Sequence, residues 1–376
     1  MTKTVALGKC NKYDEKLVYE SLKKLLELVP PPDVKGKTVL LKPNILYPKK
    51  VDLAVCTHPV VVGAAVRCFV ELGAARVLVG ESPAIAGSIS SARSTGMLEQ
   101  VTKNGGEWAD FSEKTTIHLD NAKIKHRFEV AKQLLEADLL VSLSKLKSHQ
   151  LMSYTGAMKN LFGLIIGLEK AKMHYEYPKK SDFAAYLTDL NLAVKPGYAI
   201  MDAIVGMEGP GGPGSGDPIN LNFLAASDNI LALDHICSTA VGYDADEVSN
   251  LKDALDRKIW LNSWDEVETV GAPFEEIKNL DFKAVHDKNA SETLQKMIPD
   301  FVNQIAAAFF TRKPHFQNSK CIRCGKCVQI CPPKVLKFVE DKSKKGKHVE
   351  INRKDCIKCY CCHEICPADA IKLKRF

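Results

Sequence analysis

The sequence predicts an α/β protein: a mostly parallel, helix-covered sheet domain over residues 1–312, followed by a small α+β domain over residues 313–376. Three observations carry this expectation. Short apolar runs alternate with longer amphipathic ones as far as about residue 310. At 376 residues and 45% hydrophobic composition the chain can bury one large core and still form a small second unit. Nine of the thirteen cysteines fall after residue 320, in two runs that repeat one spacing.

The alternation begins with TVALGK, then the amphipathic DEKLVYESLKKLLELV, then KTVLLKPNIL, HPVVVGAAVRCFVELG and ARVLVGES. It resumes in RFEVAKQLLEADLLVSLSKLK, SDFAAYLTDLNLAV, YAIMDAIVGMEG, LNFLAASDN and NILALDHICSTAVG. A final helix is expected from Ala290 to about Thr311, leading through RKPHFQNSK into the C-terminal domain. In such sheets ligands bind beyond the carboxyl ends of the strands, so the residues closing each apolar run are the candidates for chemistry.

Lys42 and Asn44 close one run, and the next helix opens near CTHPV with Thr57 as its N-cap and His58 and Pro59 in its first turn. His58 would face a ligand there, although a capped surface helix has the same letters. Glu81 ends ARVLVGES as a general base or metal ligand, or as a cap on the following helix. In LSKLKSHQLMSYTGAMKNLFGLIIG, Lys145, Lys147 and His149 alternate with a period of two, and Lys159 and Asn160 follow where a helix starts near residues 154–156. Cations converging beside a helix N-terminus make an anion site, and apolar flanks that imply burial favour it over a solvated edge strand.

MEGPGGPGSGDP formally satisfies the dinucleotide fingerprint through Gly209, Gly211 and Gly214. The match is spurious, because the next run, LNFLAAS, is a strand where the fingerprint needs a helix. The segment is expected to form a lid or wall over the pocket, with Asp202 and Glu208 beneath it as acid, base or ligand.

Cys321, Cys324, Cys327 and Cys331 before Pro332, and Cys356, Cys359, Cys362 and Cys366 before Pro367, each give C-x2-C-x2-C-x3-C-P. This is the bacterial two-cluster ferredoxin pattern, in which the fourth cysteine of each run ligates the other cluster. Cys321, Cys324, Cys327 and Cys366 are therefore assigned to one [4Fe-4S] cluster, and Cys356, Cys359, Cys362 and Cys331 to the second. Zinc needs only two C-x2-C pairs per ion and leaves the third and fourth cysteines of each run unexplained. Cys361 is left over. The remaining four, Cys10, Cys56, Cys68 and Cys237, have no pairing spacing and read as buried thiols in a reducing compartment.

Residues 321–376 hold fourteen Lys and Arg against six Asp and Glu, so the formal charge of +7 belongs to the cysteine-rich part. Part of that surplus offsets the cluster charge. KSKKGKHVE, residues 342–350, is a solvated hairpin tip or a docking patch for an acidic partner. No aromatic residues interleave with the basic ones, so nucleic acid is not an expected partner. The longest apolar run, Leu161 to Leu168, is too short to span a bilayer and the first residues lack an apolar signal core; a cytoplasmic protein is expected.

KPN near residue 43, the KLKSH and MKNLFG segments, the MEGPGG loop and the paired cysteine runs together resemble a bacterial and archaeal family, domain of unknown function three-six-two. Its members are often fused to a two-cluster ferredoxin. The resemblance spans nearly the whole chain and implies an architecture but no settled activity. Two functions fit the residues, with a purely structural role for the clusters as a third reading. In one, the clusters pass low-potential electrons to an anionic small molecule or cofactor held by Lys145, Lys147, His149 and Lys159. In the other, the protein is an electron carrier or maturation partner whose α/β domain recognises another protein. Either needs an electron donor or acceptor protein; a further flavin or metal is left open.

Overall fold

A computed structural model describes residues 2–46, 51–286, 312–341 and 346–374. The helix expected over residues 290–311 lies outside the described residues. The strands of the larger part are β1 (Lys3–Lys9), β2 (Thr38–Pro43), β3 (Arg76–Glu81), β4 (Glu107–Asp110), β5 (Lys114–His118) and β6 (Arg127–Ala131). They continue with β7 (Leu139–His149), β8 (Ser153–Thr155), β9 (Tyr198–Glu208), β10 (Asp217–Ser227) and β11 (Val267–Gly271).

Eight of these strands form one sheet in the order β11-β1-β10-β9-β7-β2-β3-β4, with β8 paired to β7 as a ninth. The run β4-β3-β2-β7-β9 is parallel throughout, and only β10 and β8 reverse direction against their neighbours. The alternation of side chains along a strand sorts the core onto two faces. Leu40, Leu78 and Leu140 pack on one side with Phe183, Leu187 and Leu231, while Val39, Leu41, Val77 and Val141 pack on the other with Val18, Leu22 and Val62. Helices Lys180–Val194 and Ile230–Ala240 cover the first face, and Glu15–Leu28 and Pro59–Glu71 the second.

β7 is buried over all eleven of its residues, because β2 and β9 flank it and helices cover both faces. The edge-strand alternative for its lysines is thereby excluded. Beyond β8 the chain turns at Gly156 into the short helix Ala157–Asn160. Asp234 of helix Ile230–Ala240 accepts hydrogen bonds from Ala157 N (2.6 Å) and Met158 N (2.8 Å), which satisfies two otherwise orphaned donors. Gly156 is required by space, since a Cβ there would overlap the Asp234 carboxylate. This contact sets where Lys159 and Asn160 point.

The C-terminal part is a small pseudo-repeat. β12 (Lys313–Phe316) pairs antiparallel with β15 (Ile371–Lys374), and β13 (Leu336–Asp341) with β14 (Gly346–Ile351). Short helices, Lys326–Ile330 and Cys361–Glu364, follow the two cysteine loops.

Removing the Asp234 carboxylate leaves two buried N–H groups without acceptors. Asp234→Ala is expected to lower unfolding free energy by about 2–4 kcal/mol, read as a shift in the urea midpoint at unchanged slope. A midpoint equal to wild type would show that the turn into the helix Ala157–Asn160 does not depend on this cap.

Candidate functional site

The carboxyl ends of β2, β3, β7 and β9 lie on one edge of the parallel sheet, and the charged residues singled out in the sequence cluster there. They form three groups. Lys42 is wholly buried, with its Nζ in an ion pair with Glu81 and donating to Pro43 O (2.7 Å) and Asn160 Oδ1 (3.1 Å). Asn160 returns a bond from Nδ2 to Lys42 O (2.8 Å), and Glu81 accepts from Ser82 N (2.8 Å). Gly163 stands against this pair; a Cβ there would overlap both partners.

The second group joins β7 to β9. Lys145 Nζ donates to Asp202 Oδ2 (2.9 Å) and Tyr13 OH (2.7 Å), while Tyr13 donates to Asp202 Oδ1 (3.0 Å). His58 N also donates to Asp202 (2.9 Å), and the His58 ring stacks on Tyr13 at 3.6 Å. The expected cap shifts by one residue. His58, not Thr57, is the N-cap, its Nδ1 accepting from Val60 N (3.2 Å), because Thr57 Oγ1 is committed to Leu143 O (2.9 Å) across to β7. Burial pulls the His58 imidazole down to a pKa of about 4, so it is neutral at pH 7.

The third group opens on a cavity of about 90 Å³. Its α/β wall includes Asn44, Lys147, Lys159, Lys170 and His174, and the cysteine-rich part supplies Ile330, Cys361, Glu364 and Ile365. Pro213 of the glycine-rich segment completes the rim. Lys147 Nζ donates to Asn44 Oδ1 (2.6 Å) and Val55 O (2.7 Å), and among the described residues no carboxylate lies within 4 Å of it. Burial pulls its pKa down to about 7, with Lys159 and Lys145 adding to the effect and Cys56 and Glu364 opposing it. Lys159 is half-buried and makes no hydrogen bond or ion pair among the described residues. His149 accepts on Nδ1 from Leu151 N (3.1 Å) and Met152 N (3.2 Å), so its proton sits on Nε2 and the ring is a neutral donor rather than a cation. That Nε2 lies 3.6 Å from Glu364 Oε1, and neither atom has a hydrogen-bond partner among the described residues.

The single anion pocket expected from the sequence is therefore corrected. Lys42 and Lys145 each pair with a strand-end carboxylate, since an uncompensated buried charge is far more costly than a paired one. Lys147 and Lys159 alone of the four lysines face the cavity. Glu208 is elsewhere, accepting from Lys283 N (2.9 Å) and Nζ (2.8 Å). The sequence reading missed Tyr13, Lys170, His174 and Glu364. Lys170 and His174 sit four apart on the helix Glu169–Glu176, a spacing that puts both on one face. Glu364 sits inside a cysteine run and carried no signal of its own.

The glycine-rich segment joins the antiparallel pair β9 and β10, so no helix opens on its glycines. It is a wall against the cysteine-rich part. A His363 Nε2 to Gly211 O contact (3.3 Å) and a Ser215–Asp369 hydrogen bond cross the seam. Gly214 packs where a Cβ would come within 2.8 Å of Glu364 O.

Cysteines from the two runs meet in space. Cys321, Cys324, Cys327 and Cys366 line one small cleft whose remaining walls are mainly apolar. Burial, then the neighbouring Cys366, Cys321 and Cys324, push the Cys327 thiol up; burial and the neighbouring Cys359 and Cys356 do the same for Cys331. A mainly apolar cradle lined by four thiols fits a [4Fe-4S] cluster. Cys361 instead turns into the α/β core beside Ile330 and Ile365.

A family model described as a domain of unknown function, DUF362, matches residues 39–239, over half of the chain. The chain belongs to the DUF362 family. A second model, a 4Fe-4S dicluster domain, matches residues 320–370, which gives the C-terminal part an iron–sulfur electron-transfer role. A thylakoid-associated protein of Synechocystis sp. is 31% identical over 278 residues, covering 70% of this chain and 81% of that one. The lactate racemase apoprotein of Thermoanaerobacterium thermosaccharolyticum aligns at 14% identity with a TM-score of 0.40, over 63% of this chain and 57% of that one. A Thermotoga maritima crystal structure aligns at 14% identity and a TM-score of 0.37, over 56% and 54%. This chain thus spans little more than half of either solved structure. No helix among the described residues is long and apolar enough to cross a membrane.

Two outcomes test this electrostatic division. Asp202→Ala strands the Lys145 ammonium and is expected to cost about 3–5 kcal/mol of stability. Lys147 acts through pH. Its pKa falls from about 10.4 unfolded to about 7 folded, so the unfolded chain binds more protons between those values. Stability therefore rises with pH over that window and is lost as pH falls towards 7. Lys147→Met should flatten that rise relative to wild type, by up to about 1.4 kcal/mol per pH unit. Parallel stability curves for the two proteins would contradict the assignment.

Proposed function

We propose that this protein is an iron–sulfur oxidoreductase that reduces an anionic small molecule held between its α/β domain, residues 1–312, and its ferredoxin-like domain, residues 313–376. Cys321, Cys324, Cys327 and Cys366 hold one [4Fe-4S] cluster, and Cys356, Cys359, Cys362 and Cys331 the other. When bound, such clusters take up and release single electrons at low potential. The observation that supports the reading is the shared cavity wall. Lys147 and Lys159 stand on one side, and on the other Cys361 and Glu364, the former flanked in sequence by the ligands Cys359 and Cys362. A small anion on Lys159 would lie against the second cluster's loop, with Phe162, His174 and Pro213 also lining the space.

Glu364, rather than Glu81, Asp202 or Glu208, takes the acid–base role here, because each of the other three is already held by a lysine. The first cysteine loop suits a different task. Ile322 is 64% exposed, Cys324 is exposed, and Arg323 and Lys326 stand beside them. An acidic electron donor or acceptor protein fits that face. A cytoplasmic, reducing location suits exposed cluster ligands and unpaired thiols. A carrier without catalysis would need the exposed loop but not the cavity.

An anaerobic preparation is expected to contain about eight irons per chain; zinc without iron would end the reading. Cys361→Ser should keep that iron content and Cys362→Ser should lose part of it. Lys159→Ala should abolish carboxylate binding, followed by calorimetry across a panel of small carboxylic acids, without loss of iron. If no carboxylate binds to wild type, or if binding survives the substitution, the carrier is the better description.

A further inference from the structure

The three wholly buried lysines at the sheet edge differ in what surrounds each nitrogen. Lys42 Nζ meets three acceptors, a carboxylate among them, which is what an ammonium with three N–H bonds requires. Lys145 Nζ meets a carboxylate and a phenol oxygen. Lys147 Nζ meets an amide oxygen and a backbone carbonyl and nothing else among the described residues. Two neutral acceptors satisfy the two hydrogens of an uncharged amine and leave its lone pair free; an ammonium there, unlike that of Lys145, would have no carboxylate among the described residues to offset its charge. The third direction has the cavity to point to, since Lys147 lines it. The side chain cannot easily leave this position, because β7 is buried along its whole length and Lys147 pairs with Thr155 of β8.

From this arrangement we propose that Lys147 is a nucleophilic amine that forms an imine with the carbonyl of a small oxo acid, whose carboxylate rests on Lys159. The inference deepens the reading of the cavity given above by naming the substrate class. In the step, the Nζ lone pair attacks the carbonyl carbon and a C–N bond forms. The carbonyl oxygen then leaves as water, carrying both amine hydrogens, and C=N replaces C=O. No electrons are gained or lost, so the step needs neither oxidant nor cluster. The depressed basicity of Lys147 agrees with this role, because a lysine is a nucleophile only when unprotonated. Lys159 has the complementary property: it is half-buried, has no partner among the described residues and lines the same space.

The test is reductive trapping on the full chain, prepared anaerobically and incubated at pH 8 with glyoxylate and sodium cyanoborohydride, followed by peptide mass mapping. Lys147 should be alkylated roughly tenfold or more faster than exposed lysines such as Lys16. Asn44→Asp keeps the shape of the contact but sets a carboxylate against Nζ, and should slow labelling of Lys147 at least about tenfold by holding the ammonium. Lys159→Ala should raise the glyoxylate concentration needed for half-labelling. Label confined to surface lysines, or an Asn44→Asp protein labelled as fast as wild type, would overturn the inference. Lys147→Arg should show no label at position 147; should that variant fail to fold, wild type and Asn44→Asp still decide the matter. The outcome separates from the oxidoreductase reading. Trapping at Lys147 without any cluster-dependent turnover would sink that reading and leave the imine site, and carboxylate binding without trapping would do the reverse.

Discussion

Burying an ammonium between parallel strands is tolerable only when oxygen atoms surround it, and the sheet edge of this protein is organised by that requirement. Lys42 draws Glu81 across from β3 and Asn160 down from the following helix. Lys145 draws Asp202 from β9 and Tyr13 from the segment after β1. Each pairing links strands or loops that are far apart in sequence, so the same contacts that neutralise charge also fix how the loops above the sheet lie. Gly163 is where the backbone comes close enough to the Lys42–Glu81 pair that no side chain fits.

Against that background the cavity stands out for what it lacks. Lys147 and Lys159 are drawn into the same low-dielectric region without a carboxylate of the described residues within ion-pair distance, and His149 is held neutral by two backbone donors. Such an arrangement lowers stability, and proteins retain it where a ligand supplies the missing partner. The partner groups across the cavity come from the cysteine-rich part, whose Ile330, Cys361 and Ile365 pack into the same core as β2 and β7. The glycine-rich connection between β9 and β10 allows this close approach, because Gly214 leaves the space that the Glu364 backbone occupies. The joint between the two parts is thus a wall of the cavity itself. Iron–sulfur electron transfer and membership of the DUF362 family rest on the family matches; the chemistry assigned to the cavity rests on this geometry.

The fold class and the order of strands and helices along the chain were legible in the sequence, because each depends on local periodicity. Lys145, Lys147, His149 and Lys159 were also legible as a group, since charged residues inside apolar runs imply burial. What a linear pattern does not contain is the identity of a partner brought by another strand. Whether Lys145 meets Asp202 or open space depends on the register of β7 against β9, which shifts between Lys145 and Lys147. That shift separates a neutralised lysine from one that faces the cavity. Tyr13 and Glu364 escaped notice for the same reason: they enter the site from residues more than a hundred positions away from the segment they complete. Sequence determined which side chains are forced into the interior, and tertiary structure alone decided which of them are neutralised there, because electrostatic compensation acts across space over a few ångströms and is blind to distance along the chain.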